Sequence, residues 1–289
     1  MPEPQRYLEA FSAALLVSAA VASFLGKWPL HQPRLASVLG MIIGAAGGLL
    51  ALRLRVTFPP ASALDRLLLI LLPGIGLVEC IACVPRLPSW VAFSGRAILV
   101  FVSGRILLHG SVYLTNQAET LPPLVLLVIS ALAFATVWCL LDHLQVRTPS
   151  ALYPFNVALT LLCGGMTIML AGYLKGGSAS FPLAAAIFGA TLATVNRKHD
   201  VDQRGAIGLA VTSLFGLLFM GRFFGRLSTV TALVLLSVPL VAWCSELPLI
   251  RNRPRWQRHL LQTGLLIIIL AIVLVLAKQD FDLRMKPLL

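Results

Sequence analysis

Charge is the first thing this chain is short of. Only 12% of its 289 residues are Asp, Glu, Lys or Arg, against about 25% in soluble globular domains. Acidic residues are the scarcer sign, 11 against 23 basic. No stretch is both polar and long enough to fold as a soluble domain, so any function has to sit among the apolar segments or in short loops. Catalytic motifs are missing too. There is no nucleophile elbow, phosphate loop, dinucleotide fingerprint or zinc-protease helix, and nothing calls for a cofactor. The five cysteines, Cys80, Cys83, Cys139, Cys163 and Cys244, lie in or at the ends of apolar segments. Their odd number and placement exclude a disulfide framework, leaving a role as small apolar filler. Cys80, Cys83, Cys139 and His143 are of ligand type, but the second half of a zinc spacing pattern is absent, so no metal is expected.

The net charge of +12 is not a nucleic-acid signal. The basic residues are spread over nearly every loop, without a basic stripe and interleaved aromatics. They read as anchors at a lipid headgroup surface, where each contributes about 1 kcal/mol. The expected partner is therefore the lipid bilayer, with no nucleic acid.

What the chain has in abundance is apolar runs. Some 58% of residues are hydrophobic, and runs of about 20 apolar residues recur from end to end, the length that crosses a bilayer as a helix. The fold class is all-α, a polytopic integral membrane protein with about ten spans, approximately 8–26, 35–52, 66–84, 90–108, 121–141, 153–173, 178–195, 205–220, 227–247 and 259–277. The span at 205–220 is short, and the one at 90–108 holds two arginines. Ala20-Val21-Ala22 has the form of a cleavage site, but Arg6 is opposed by Glu3 and Glu9, so the segment reads as a first span rather than a signal peptide. Connections are short and carry breakers, such as Pro59-Pro60 and Lys175-Gly176-Gly177. Trp28, Trp90, Trp243 and Trp256 fall near the proposed interfaces, as an aromatic belt does. Ten Lys and Arg residues fall on the side of the N-terminus and eleven on the opposite side. A bias of one does not set the orientation. The two ends of the bundle are called proximal (the side of the N-terminus) and distal.

Gly40, Gly44 and Gly48 recur four apart in the second span. That spacing puts all three on one helix face, which another backbone can approach closely. The contact could be within the chain, with other membrane subunits or with a second copy.

The stretch from Asp65 to Tyr113 carries the chemistry. It reads as two spans joined by a tight turn at Val84-Pro85-Arg86-Leu87-Pro88. Glu79 lies in the first arm, Arg96 and Arg105 in the second, and His109 at the exit. A charge in hydrocarbon costs a few kcal/mol or more unless paired or wetted. Glu79 and Arg96 lie at nearly equal depths from the turn, roughly 9 and 12 Å at 1.5 Å per residue, so they are expected to meet. Arg105, nine residues on, leaves the opposite face and shares its own with His109. The pair reads either as an ion pair fixing helix register or as an anion or proton site, with Glu79, Arg96, Arg105 and His109 as candidate binding residues. Pro73-Gly74-Ile75-Gly76 lies in the first arm and is a place for the helix to kink or break.

Dividing the chain into 1–147 and 148–289 gives about five spans per half. If the halves are structural repeats, an odd count makes them inverted. In size and span count the chain resembles the drug/metabolite-type transporters; no motif of that family is present. Three function classes follow in order: a secondary-transporter-like permease for a small anionic solute, a non-catalytic membrane subunit or assembly factor, and a lipid-directed membrane enzyme.

Overall fold

The protein is represented by a computed structural model that describes residues 4–27, 33–84, 87–115, 122–195, 203–247, 250 and 254–285. The expected turn at Pro85-Arg86, the interface residue Trp28 and the loop residues His199, Asp200 and Asp202 lie outside the described residues. Among the described residues the structure is all-helical, without strands. In hydrocarbon every backbone N–H and C=O must be satisfied within its own segment, and helices meet that demand.

The long rods alternate between the two ends of the bundle. They are α1 (Pro4–Leu25), α2 (Pro33–Ala51), a composite of α3 (Ala63–Arg66), a π-helical segment (Leu67–Leu71) and α4 (Leu72–Ile81), then α5 (Ser89–Leu108). A single turn, α6 (Val112–Thr115), precedes α7 (Pro123–Arg147), α8 (Leu152–Leu170), α9 (Leu174–Val195) and α10 (Arg204–Phe224). α11 (Thr229–Ser237) runs on into a 3-10 segment (Val238–Glu246), and α12 (Arg255–Met285) closes the chain.

Among the described residues nine helices are long and apolar enough to cross a membrane. The difference from about ten lies at 66–84, which is not one regular helix. Pro73 has no N–H to give the carbonyl four residues back, and its ring crowds the preceding turn. The chain accommodates this by widening: Leu72 N–H reaches back five residues to the Leu67 carbonyl. The kink expected at Pro73 is thus a π segment just before it. Pro239 has a related effect in the ninth rod, whose second half is wound as the 3-10 segment.

The short candidate span at 205–220 proves to be the centre of the molecule. α10 covers 21 residues, nearly all buried, and packs against α2, α4, α5, α7, α8, α9 and α11. Its small residues, among them Gly205, Gly208, Ala210 and Gly216, let neighbours approach on every side. An aromatic column ties it to α7: Phe134 stacks on Phe215 with ring centroids 4.4 Å apart, and Phe219 and Phe223 continue toward the proximal end. Trp138 stacks on Phe134 at the distal end of the column.

The glycine face of α2 lies against α1. A Cβ added at Gly44 would stand 2.5 Å from Ser18 Cβ and 2.8 Å from the Ala14 carbonyl oxygen. Gly40 and Gly48 meet Ala22 and Ala14 in the same way. α1 supplies a matching ladder of buried small residues, Ala10, Ala14, Ser18 and Ala22. The Ser18 hydroxyl donates across to the Ala186 carbonyl of α9 at 2.6 Å. α1, α2 and α9 therefore form one close-packed layer that crosses the 147/148 division.

Candidate functional site

Glu79 sits seven residues into α4, near its distal end, and is fully buried. Its carboxylate is clasped by two arginines from other helices. Arg96 of α5 donates from Nε to Oε1 at 2.7 Å and from Nη2 to Oε2 at 2.8 Å, the parallel fork that guanidinium and carboxylate planes allow. Arg34, in the first turn of α2, donates from Nη2 to Oε2 at 2.6 Å. Glu79 and Arg96 do meet, as their equal depths suggested, but with a second arginine.

The surroundings explain how a charge cluster fits here. Opposite Glu79, α10 presents Gly208. A Cβ there would lie 3.0 Å from Glu79 Oε1 and 3.1 Å from the Trp138 ring, so the missing side chain is the space the carboxylate occupies. Arg34 runs over Gly205 in the first turn of α10, where an added Cβ would meet its Cγ at 3.3 Å. Trp138 of α7 lies under Arg96, with the guanidinium carbon 5.5 Å from the ring centroid, a cation–π contact. One turn further along α7, Asp142 approaches Arg96 Nη1 at 3.5 Å. Arg204, which opens α10, lies within electrostatic range of both Arg96 and Asp142. The cluster therefore joins the distal ends of α2, α4, α5, α7 and α10. It is sealed at Glu79 and opens outward at Asp142, whose side chain is 23% exposed.

Arg105 and His109 are not part of it. Both are exposed at the proximal end of α5, where the His109 carbonyl accepts a hydrogen bond from Arg66. Nine residues along a helix is about 14 Å and a half-turn of rotation, so one cavity cannot receive both Arg96 and Arg105. Among the described residues no group of His, Cys, Asp and Glu is arranged to hold a metal ion.

A second set of polar groups lies on α7, α8, the 3-10 segment and α12, also toward the distal end. α7 carries Gln145 three residues after Asp142, and both it and Asn156 of α8 are buried. Cys163 of α8 meets the Leu270 carbonyl of α12, which fixes the register of these two parallel helices. Two turns closer to the distal end, that register sets Asn156 and Gln262 at one depth. Neither amide atom of Asn156 has a hydrogen-bond partner, nor do Gln145 Nε2, Gln262 Nε2, Trp243 Nε1 and Arg258 Nε. Tyr153, one turn before Asn156, shares a 2.7 Å hydrogen bond with Thr148 and is bordered by Ser245, Glu246 and Arg258. In this region N–H donors outnumber acceptors.

The sequence reading does not find Arg34, Gly208 or the buried amides. Arg34 looks like one more loop cation, and Gly208 is one of several glycines in a short candidate span. The available signal for Asn156 is an amide in an otherwise apolar run.

Gly208 offers a direct test of the geometry. Gly208→Ala is expected to lower stability by about 1–3 kcal/mol, because carboxylate and indole must both give way. Thermal unfolding in detergent reads the effect; an unchanged midpoint would mean that the carboxylate does not lie against α10.

No protein-family model matches the chain, and no curated protein matches it.

Proposed function

We propose that the protein is a multi-pass membrane permease for a small anionic solute bearing a carboxylate or phosphate. The reading rests on the clasp: two arginines from separate helices converge on Glu79, a carboxylate that belongs to the protein itself. Glu79 serves as an internal anion that holds Arg34 and Arg96 in place. A solute carboxylate or phosphate offers the same oxygen geometry to the same forks, so it can exchange with Glu79. A displaced Glu79 carboxylate stays buried and would cost several kcal/mol if left charged and unpaired, so the exchange requires Glu79 to take up a proton as the solute binds. A cluster that joins five helix ends and trades partners in this way suits a gate that opens only when a solute takes Glu79's place. The π segment before Pro73 gives the Glu79-bearing rod a place to flex.

The alternative role, a non-catalytic membrane subunit or assembly factor, rests on the glycine face of α2 and on the sparse chemistry of the chain. That face is occupied by α1 of the same chain and is not free for another protein.

Thermal unfolding in a neutral detergent tests the proposal, with acetate, succinate or inorganic phosphate added against a chloride background. A ligand at 100 times its dissociation constant adds about 2.7 kcal/mol. At least one of these anions is expected to raise the midpoint of the native protein and to lose that effect in Arg34→Gln. Equal midpoints in all four salts would count against an anion site.

A further inference from the structure

A groove of about 300 Å³ opens at the other end of the molecule, between α8, α11 and α12. Its character changes along its length. At the proximal mouth stand Arg226, Ser228, Asp280 and Arg284; further in, the walls are Val234, Ile269, Ile272 and Val273. On α12 the distance from Arg284 to Ile269 is fifteen residues, about 22 Å along the axis. Val273 on the inner wall is buried, while Ile272 on the rim is about half exposed, so the groove is open sideways. Neither Arg226 nor Arg284 forms an ion pair among the described residues. Asp280 is the one acid at the mouth, so the cationic charge there is in excess.

We propose that this groove binds one anionic phospholipid, with its phosphate between Arg226 and Arg284 and one acyl chain along the cleft between α11 and α12. A polar, cationic mouth over an apolar cleft matches an amphiphile with an anionic head. Guanidinium groups bind phosphate oxygens in forked pairs, and basic pockets between membrane helices select anionic headgroups. A free phosphate would leave the apolar length unused. This site lies at the opposite end from the Glu79 cluster and does not depend on its role.

The test is native mass spectrometry of the full chain, after equilibration in neutral detergent with equal amounts of dioleoyl-phosphatidylglycerol and dioleoyl-phosphatidylcholine. One phosphatidylglycerol should remain bound, with retention about tenfold above phosphatidylcholine, a preference worth about 1.4 kcal/mol. The double variant Arg226→Gln with Arg284→Gln should bring the two lipids to parity. Arg105→Gln removes an exposed arginine at the same end of the molecule and should change nothing. Ile272→Trp narrows the cleft without altering charge and should also reduce retention. Equal retention of both lipids, an equal loss in Arg105→Gln, or full displacement of the lipid by 10 mM inorganic phosphate, roughly ten-thousandfold above a micromolar constant, would each overturn the assignment.

Discussion

Arg96→Met should destabilise the protein by about 3–5 kcal/mol, the cost of leaving a buried carboxylate without its main partner. Glu79 has no exposure to water, and Arg34 alone would then face it. Asp142 would lose its contact with Arg96 as well. Glu79→Gln should be comparably harmful in the other direction, because Arg34 and Arg96 would then share an amide that supplies a single oxygen. Replacing both residues removes the fork as a unit, and an uncharged pair in an apolar site is often close to neutral. The double variant should therefore recover much of the loss, with a coupling energy of several kcal/mol in a double-mutant cycle. Recovery will be incomplete because Arg34 stays behind. Thermal or chemical unfolding of the four proteins in one detergent measures the cycle, and additive effects would show that the two side chains do not meet.

Gly44→Leu is the second large effect. An added Cβ at this position already collides with Ser18 Cβ and with the Ala14 carbonyl. Side chains can rotate away, but a carbonyl in a helix cannot. α1 would have to move as a body, and its Ser18 bond to α9 would be stretched or broken. Overpacking a tight interior costs about 1–3 kcal/mol, and loss of the buried hydrogen bond adds about 1 kcal/mol or more. The unfolding midpoint should fall clearly, while Gly264→Leu, on α12 with nothing within 4 Å of an added Cβ, should leave it nearly unchanged. If Gly44→Leu behaves like Gly264→Leu, the α1–α2 contact is not as described.

Features that depend on nearby residues could be read from the sequence. Apolar run lengths sufficed for the helical class, and the glycine spacing of α2 pointed to a close helix contact. Two positions flanking one turn were enough to bring Glu79 and Arg96 together, because an antiparallel hairpin pairs residues at equal depth. Arg34 was not legible by that route. It lies 45 residues before Glu79 and reaches it only because α2 packs beside α4 and α10. Nor was the importance of α10. Its apolar run looks short because Arg222 ends it, whereas the helix continues to Phe224, and burial on all sides leaves no mark in local composition. The matching ladder on α1, Ala10, Ala14, Ser18 and Ala22, was present in the sequence at the same four-residue spacing as the glycines. It was masked by the apolar residues around it, which face outward. The π segment was half legible, since Pro73 marks the disturbance but not the way the chain absorbs it.

The central claim is that Arg34 and Arg96 bind a solute anion in exchange for Glu79. The most direct measurement is flux of labelled acetate, succinate and phosphate into proteoliposomes containing either the native protein or the double variant Glu79→Gln with Arg96→Met. This variant is chosen because it should recover much of the stability that either single variant loses, so that, once its folding is checked by thermal unfolding, a change in flux reports on the site. The native protein should carry at least one of these anions, and the folded double variant should carry none. Native-like flux from the double variant, or no flux of any of the three from the native protein, would contradict the account and leave the cluster as a purely structural clasp.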